Sequence, residues 1–143
     1  MGDRLRQFLE ADEFFIAVDA AHMAALTAAP DRESFVFWTE RGIQLANTHM
    51  EARYWLGPLL NNLGWEHYEA GEYAEALDAF ERALSERQRD PDNGSATEIA
   101  RYAVGKTLRA LGRPAEAVPL LEHAVAWSET ANAPDGWFHE ELA

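Results

Sequence analysis

The sequence predicts an all-α fold in which antiparallel helical hairpins stack into a solenoid. Alanine, the best helix former, supplies 26 of the 143 residues. The sequence is similar to itself at an offset of about 41 residues, and apolar residues within each copy recur with the 3.6-residue period of a helix. We therefore expect about three hairpins and the start of a further helix, within a single domain that spans residues 1–143.

The net charge excludes some classes of partner. Twelve Lys and Arg residues against 25 Asp and Glu residues give a formal charge of −13 and an isoelectric point of about 4.7. Because such a surface repels phosphate backbones and anionic lipid, we expect neither nucleic acid nor a membrane as a partner. The absence of cysteine excludes disulfides and thiolate chemistry. No targeting or membrane-spanning segment is found, so we expect a cytoplasmic protein.

Two copies of a two-helix unit account for this offset. The first copy covers residues 57–88 and the second covers residues 98–128. Small residues of one copy align with identical residues of the other: Gly64 with Gly105, Gly71 with Gly112, Ala76 with Ala117, and Ala83 with Ala124. A glycine inside a helix costs about 1 kcal/mol relative to alanine, so we expect helices to approach closely at Gly64 and Gly105.

The hydrophobic pattern predicts two helices in each copy. Within the second helix of the first copy, apolar residues recur at i, i+3, i+4 and i+7, and acidic residues occupy the other face. Pro114 suits the first turn of a helix, whereas Pro119 predicts a local bend or a lost hydrogen bond. The four predicted helices are Leu59–Tyr68, Tyr73–Arg87, Ile99–Leu111 and Ala115–Trp127.

Weaker patterns extend the repeat on both sides. Residues 11–47 predict a degenerate leading hairpin, whose helices are Ala11–Ala28 and Glu33–Ala46 with a turn at Pro30-Asp31. Residues 136–143 predict the start of a further helix. Between the hairpins, Glu51–Leu56 is expected to extend the following helix, and Asp90–Ser95 is expected to form a turn-rich loop.

The segment NNLGWEHYEAGEYAEALDAFERAL, residues 61–84, resembles a tetratricopeptide repeat. The resemblance depends on the Leu63-Gly64 pair, on Gly71 followed by Tyr73, and on the later small and aromatic positions Ala76, Phe80 and Ala83-Leu84. Residues 103–125, AVGKTLRALGRPAEAVPLLEHAV, resemble a second copy. Because the usual repeat is about 34 residues long, the larger offset found here resembles a longer variant of the repeat. The resemblance implies a right-handed solenoid that serves as a protein-interaction module and scaffold, not an enzyme.

The resemblance also implies a binding surface. In the resembled family the first helix of each hairpin lines a concave groove, and the residues that this implies here are Asn61, Asn62, Trp65, Tyr68, Tyr102, Lys106 and Arg109. Tyr102, Lys106 and Arg109 share one helix face by their spacing. Rings offer contact area, amides bind a peptide backbone and cations bind carboxylates, so we expect a peptide or partner helix as the ligand. Alternatively, Trp65 and Tyr68 pack against neighbouring helices and Lys106 is solvated.

Other motifs predict no catalytic chemistry. Residues 100–107 satisfy a relaxed phosphate-loop pattern that ends in Gly105-Lys106-Thr107, but this pattern requires a preceding strand, and the segment has a helical pattern. Nucleotide binding is therefore a remote alternative. Residues 139–143 begin like a zinc-protease helix, but Ala143 takes the place of the second histidine. We expect no catalytic residue, no cofactor and no metal.

Self-association is the second hypothesis. Trp137 and Phe138 lie in the predicted last helix and have little within the chain to pack on. These residues could join two copies as a homodimer through the terminal helices, or join further repeats if the chain is a fragment of a larger regulatory protein.

Overall fold

A computed structural model describes residues 17–18, 20–26, 31–90, 92 and 94–130, of which 89% are helical and none lies in a strand. The elements with defined bounds are α1 (Arg32–Thr48), a 3-10 helix (Met50–Trp55), α2 (Leu56–Glu69), α3 (Tyr73–Arg87), α4 (Gly94–Ala110) and α5 (Pro114–Thr130). The predicted all-α helical-repeat fold is confirmed. No helix in the described ranges is long and apolar enough to cross a membrane.

Several predicted features lie outside the described residues. They are the start of the leading hairpin, the proline of its turn, and the terminal helix with Trp137 and Phe138. The chain divides into two compact units, residues 1–66 and residues 67–143.

The first unit contains the leading helices. Residues 17–18 and 20–26 are helical, and α1 begins after Asp31, whose carboxylate accepts a hydrogen bond from the Ser34 hydroxyl at 2.7 Å. The 3-10 helix packs on α1. Gly42 permits a close approach within this unit, because a Cβ added there would lie 3.1 Å from Cδ1 of Leu59. The buried side of α1 consists of Thr39, Gly42, Ile43 and Ala46.

Two turns of the second unit, one in each copy of the repeat, have the same backbone hydrogen bonds. Gly71 and Gly112 adopt φ values of 78° and 74°, a left-handed conformation that favours glycine. Each glycine N–H donates to the carbonyl three residues earlier, and the next N–H donates to the carbonyl five residues earlier. This Schellman arrangement satisfies the last carbonyls of a helix and ends it. The acceptors are Tyr68 and His67 at the first turn and Arg109 and Leu108 at the second.

Small residues bring the helices of the second unit close together. α4 packs against both α3 and α5. A Cβ added to Gly105 would lie 2.8 Å from Cγ and Cδ2 of Leu121, so the close approach expected at this glycine is confirmed. The aligned alanines are fully buried, as their spacing predicts: Ala76, Ala83, Ala117 and Ala124.

The connection between α3 and α4 is shorter than predicted. α4 begins at Gly94, inside the segment whose composition predicts a loop. Two hydrogen bonds tie the end of α3 to the start of α4: Arg87 Nη1 donates to the Ala96 carbonyl at 3.0 Å, and Thr97 Oγ1 donates to the Arg87 carbonyl at 3.2 Å. Burial lowers the pKa of the Arg87 guanidinium.

The remaining boundaries follow the prolines and glycines. α3 has the predicted bounds. α5 begins at Pro114, one residue before the predicted start, and ends at Thr130, three residues after the predicted end. α5 continues through Pro119, and the bend expected there stays a prediction. The segment expected to extend α2 forms a 3-10 helix that leads directly into it, and Pro58 then occupies the first turn of α2.

Candidate functional site

Three tyrosines and one lysine form a cluster in the second unit. Lys106 Nζ lies 5.6 Å from the ring centroid of Tyr68 and 5.9 Å from that of Tyr102. The Tyr68 ring packs against Tyr73 edge to face, with a centroid distance of 5.1 Å. We call Tyr68, Tyr73, Tyr102 and Lys106 the lysine–tyrosine cluster.

Helix geometry and the Schellman turn position the cluster. Tyr102 and Lys106 lie one turn apart on α4, so their side chains are neighbours on one face. Tyr68 lies in the last turn of α2 and Tyr73 begins α3, and the Gly71 turn between them brings their rings together. Tyr102 is 6% exposed, whereas Tyr68 and Lys106 are half-buried. The Tyr102 ring therefore supports Lys106, while Tyr68 keeps part of its ring on the surface.

The cluster places an oriented positive charge on an acidic protein. An ammonium within about 6 Å of a ring centroid is attracted by the negative face of the ring. An ammonium carries three donors, which suit a carboxylate or a carbonyl oxygen. Arg109 lies three residues further along α4, on the same face, and is exposed. The two cations can raise the local concentration of an acidic ligand near a chain whose net charge is −13.

The structure brings together only part of the predicted binding surface. Lys106 contacts the rings of both Tyr68 and Tyr102. The sequence also allowed Lys106 to be solvated. Asn61, Asn62 and Trp65 lie on α2 within the first unit and are half-buried. The Asn61 Oδ1 atom is buried, and it has no hydrogen-bond partner among the described residues.

A buried carboxylate links α4 to α5, and sequence reasoning missed it. Glu98 is 4% exposed, Arg101 Nε donates to it at 3.2 Å, and His123 Nδ1 lies 3.0 Å from its Oε2. The i, i+3 spacing of Glu98 and Arg101 could have indicated the first pair. His123 lies on the following helix, far from Glu98 along the chain, so no local pattern indicates the second pair. The described residues include no group of three or more His, Asp or Glu side chains placed to hold a metal.

The residues that resemble a phosphate loop all lie within α4. Thr107 is fully buried and its hydroxyl donates to the Ala103 carbonyl at 2.8 Å. Gly105 lies against Leu121, and Lys106 lies over the tyrosine rings. A phosphate loop requires a strand, a loop of free N–H groups and then a helix, and a continuous helix offers no such cradle.

Comparison with known proteins identifies a family. The family model described as tetratricopeptide repeat matches residues 59–130. This span runs from the first turns of α2 to the end of α5 and includes the whole lysine–tyrosine cluster. A search of curated proteins and a search of solved structures each gave no significant match.

Proposed function

Because the chain belongs to the tetratricopeptide repeat family, whose members generally mediate protein–protein interactions, we propose that it is a binding module for a peptide or a partner helix, and not an enzyme. The observation that carries this proposal is the position of Lys106 over the rings of Tyr68 and Tyr102. The ligand contacts the exposed part of Tyr68 through an apolar side chain and places a carboxylate near Lys106 and Arg109.

The preorganised lysine gives this surface its selectivity. A lysine that moves freely loses rotamer entropy when it binds, at a cost of about 1–2 kcal/mol. Because the two rings already restrict the rotamers of Lys106, the lysine loses less rotamer entropy when a ligand binds. The chain contains no other lysine, so a substitution at this position removes the only primary amine among its side chains.

Three residues of the first unit are also proposed to contact a ligand. Asn61, Asn62 and Trp65 lie on the part of α2 that belongs to that unit. Their amides would bind the peptide backbone and the indole would contact an apolar side chain. The offset between the two copies supports membership of a longer-repeat variant, and the absence of cysteine supports a cytoplasmic setting. Right-handed stacking of the hairpins is part of this proposal and rests on membership of the family.

Selection from a random peptide display library tests the proposal. The full chain serves as bait, and the dissociation constants of the selected peptides are measured by calorimetry. We expect Lys106→Gln and Tyr68→Leu each to weaken binding about 5-fold or more, in line with a desolvated cation–π or aromatic contact of about 1 kcal/mol. Arg82→Gln is the matched control, since it removes an exposed cation of α3.

Two results would contradict the proposal. One is a selection that enriches no peptide. The other is a set of peptides that bind Lys106→Gln and Tyr68→Leu as tightly as the unmodified chain. If ATP binds instead, and Lys106→Ala abolishes that binding, the nucleotide alternative replaces the proposal.

A further inference from the structure

Two side-chain contacts cross the Gly71 turn next to each other. His67 Nδ1 lies 2.9 Å from Oε1 of Glu72, and the residues that follow each of them, Tyr68 and Tyr73, form the edge-to-face ring contact. Each contact joins the last turn of α2 to the beginning of α3. The His67 side chain is only 16% exposed, so its hydrogen bond is stronger than one surrounded by water. We call His67 and Glu72 the cross-turn pair.

The hydrogen bond of the cross-turn pair has a defined direction. An ionised carboxylate only accepts hydrogen bonds, so His67 Nδ1 carries the proton and donates to Glu72. The backbone joins the same two residues, because the Glu72 N–H donates to the His67 carbonyl at 2.9 Å. One backbone bond and one side-chain bond therefore fix the end of α2 against the beginning of α3.

The second copy of the repeat shows that the turn does not require this side-chain bond. The Gly112 turn has the same backbone hydrogen bonds as the Gly71 turn and nearly the same φ value. Leu108 and Arg113 occupy the positions that correspond to the cross-turn pair. Leucine has no polar side-chain atom, and Arg113 binds Glu116 of its own helix at 2.6 Å. The cross-turn pair is therefore an addition to the first turn, in the copy where the next residues are two tyrosines.

We propose that the cross-turn pair positions the peptide surface: it holds the Tyr68 ring against Tyr73, where the ring also lies beside Lys106. This inference rests on the proposed function. Because the pair fixes the backbone on both sides of the turn, the two rings lose less freedom when they pack together. A Tyr68 ring that left Tyr73 would also leave the ammonium of Lys106, which lies 5.6 Å from its centroid. His67 and Glu72 are thus positioning residues, which set the affinity for a ligand by acting through Tyr68.

The charge of Glu72 separates this proposal from a purely electrostatic effect. Glu72 is a carboxylate directly before Tyr73, a member of the lysine–tyrosine cluster. If charge alone mattered, removing this carboxylate would strengthen the binding of an acidic ligand. If the cross-turn pair positions Tyr68, the same change weakens binding, because a smaller fraction of the chains holds the ring in the competent orientation.

Two variants of Glu72 test the positioning directly. Glu72→Ala and Glu72→Gln remove the same charge, but only glutamine keeps an oxygen that can accept the proton of His67 Nδ1. In the full chain without peptide, nuclear Overhauser effects between the ring protons of Tyr68 and Tyr73 should weaken in Glu72→Ala and be retained in Glu72→Gln. For peptides selected on the unmodified chain, the dissociation constant should rise about 3-fold or more in Glu72→Ala, as the competent fraction falls to about one third, and stay within about 2-fold in Glu72→Gln.

Two further variants complete the set. His67→Leu installs the residue found at the corresponding position of the second turn and leaves the formal net charge at −13, so it should act like Glu72→Ala without a change in charge. Glu75→Ala is the matched control, because it removes an exposed carboxylate from the first turn of α3. It should leave the ring contact intact and should not weaken peptide binding.

Several outcomes would overturn the proposal. They are a ring contact that Glu72→Ala and His67→Leu both leave unchanged, a peptide affinity that Glu72→Ala leaves unchanged or raises, and equal losses of affinity in Glu72→Ala and Glu72→Gln. Far-ultraviolet circular dichroism shows whether each variant is folded, and if His67→Leu is not, the two Glu72 variants decide. A selection that enriches no peptide contradicts the proposed function, and the ring contact, measured without peptide, then still decides whether the cross-turn pair positions Tyr68.

Discussion

Replacing Gly105 by alanine tests whether α4 and α5 approach each other at this residue. The added Cβ would lie 2.8 Å from Cγ and Cδ2 of Leu121, a distance at which one of the atoms must shift. Leu121 is 1% exposed, and Cγ is the branch point of its side chain and not its flexible end. Relief therefore requires a new Leu121 rotamer in a packed interior or a movement of the helices apart.

Two opposing effects determine how much Gly105→Ala changes the free energy of unfolding. Alanine is favoured over glycine in a helix by about 1 kcal/mol. Inserting a methyl group into a packed core costs about 1–3 kcal/mol. The expected net change is a loss of about 1 kcal/mol in the free energy of unfolding, instead of the gain that helix propensity alone predicts.

Urea unfolding followed by circular dichroism measures this change as a lower midpoint at constant slope. Gly94→Ala is the control, because a Cβ there would lie 3.5 Å from Trp127 Nε1, an ordinary contact. We expect this control to be neutral or slightly stabilising.

A double-mutant cycle with Leu121→Ala isolates the contact. Leu121→Ala alone should cost about 2–5 kcal/mol, since it removes a fully buried side chain. In that background the new methyl group of Gly105→Ala meets no leucine branch, so the substitution should become stabilising by about 1 kcal/mol. If Gly105→Ala stabilises the chain equally with and without Leu121, the inferred close approach is wrong.

Two further predictions concern a turn and a helix cap. Gly112→Ala should lower the free energy of unfolding by about 1 kcal/mol, because an alanine at a φ of 74° is strained, and Gly71→Ala should have the same effect. Urea unfolding measures the change. An unchanged unfolding midpoint for either variant would contradict the inferred strain. Ser34→Ala should raise the pKa of Asp31 towards its ordinary value in an NMR titration, because hydrogen bonds from Ser34 hold that pKa down. A carboxylate whose pKa is lowered by folding stabilises the fold at pH values above the ordinary aspartate pKa, and this stabilisation is lost as the pH falls through the lowered pKa. The unmodified chain should therefore be more stable than Ser34→Ala near neutral pH. In acid the two proteins should become equally stable with respect to this contact. An Asp31 pKa that is the same in both proteins would show that the Ser34 hydroxyl does not lower it.

Local sequence signals determine most of the helix boundaries. α3 has the predicted bounds because Gly71 ends the preceding helix through a conformation that only glycine adopts easily. The predicted start of α4 is too late, at Ile99 instead of Gly94. The prediction is late because the aspartates, proline, asparagine and glycine before α4 are typical of a turn. The hydrogen bonds that hold the start of α4 against Arg87 join residues nine and ten positions apart, so no local pattern indicates them.

The sequence predicts which helix face carries the residues of the candidate site, but it does not predict how exposed their side chains are. The spacing of Tyr102 and Lys106 places both on one helix face, and the structure has them in contact. The spacing cannot show that Tyr102 is 6% exposed, because burial depends on which other helix covers that face. Likewise, the spacing of Tyr73 makes it part of an apolar stripe, and its contact with Tyr68 follows from the turn between the two helices.

Because of the two hydrogen bonds of Arg87, the packing of α3 against α4 does not depend on the length of the connection between them. These bonds hold the end of α3 beside the start of α4, whatever lies between residues 88 and 93. Once those ends are fixed, loop-closure entropy is the main cost of a longer connection, and doubling its length adds only about 0.6 kcal/mol. The α3–α4 connection is therefore where this chain can gain or lose residues, or accept an inserted segment, without changing the geometry of the repeat on either side.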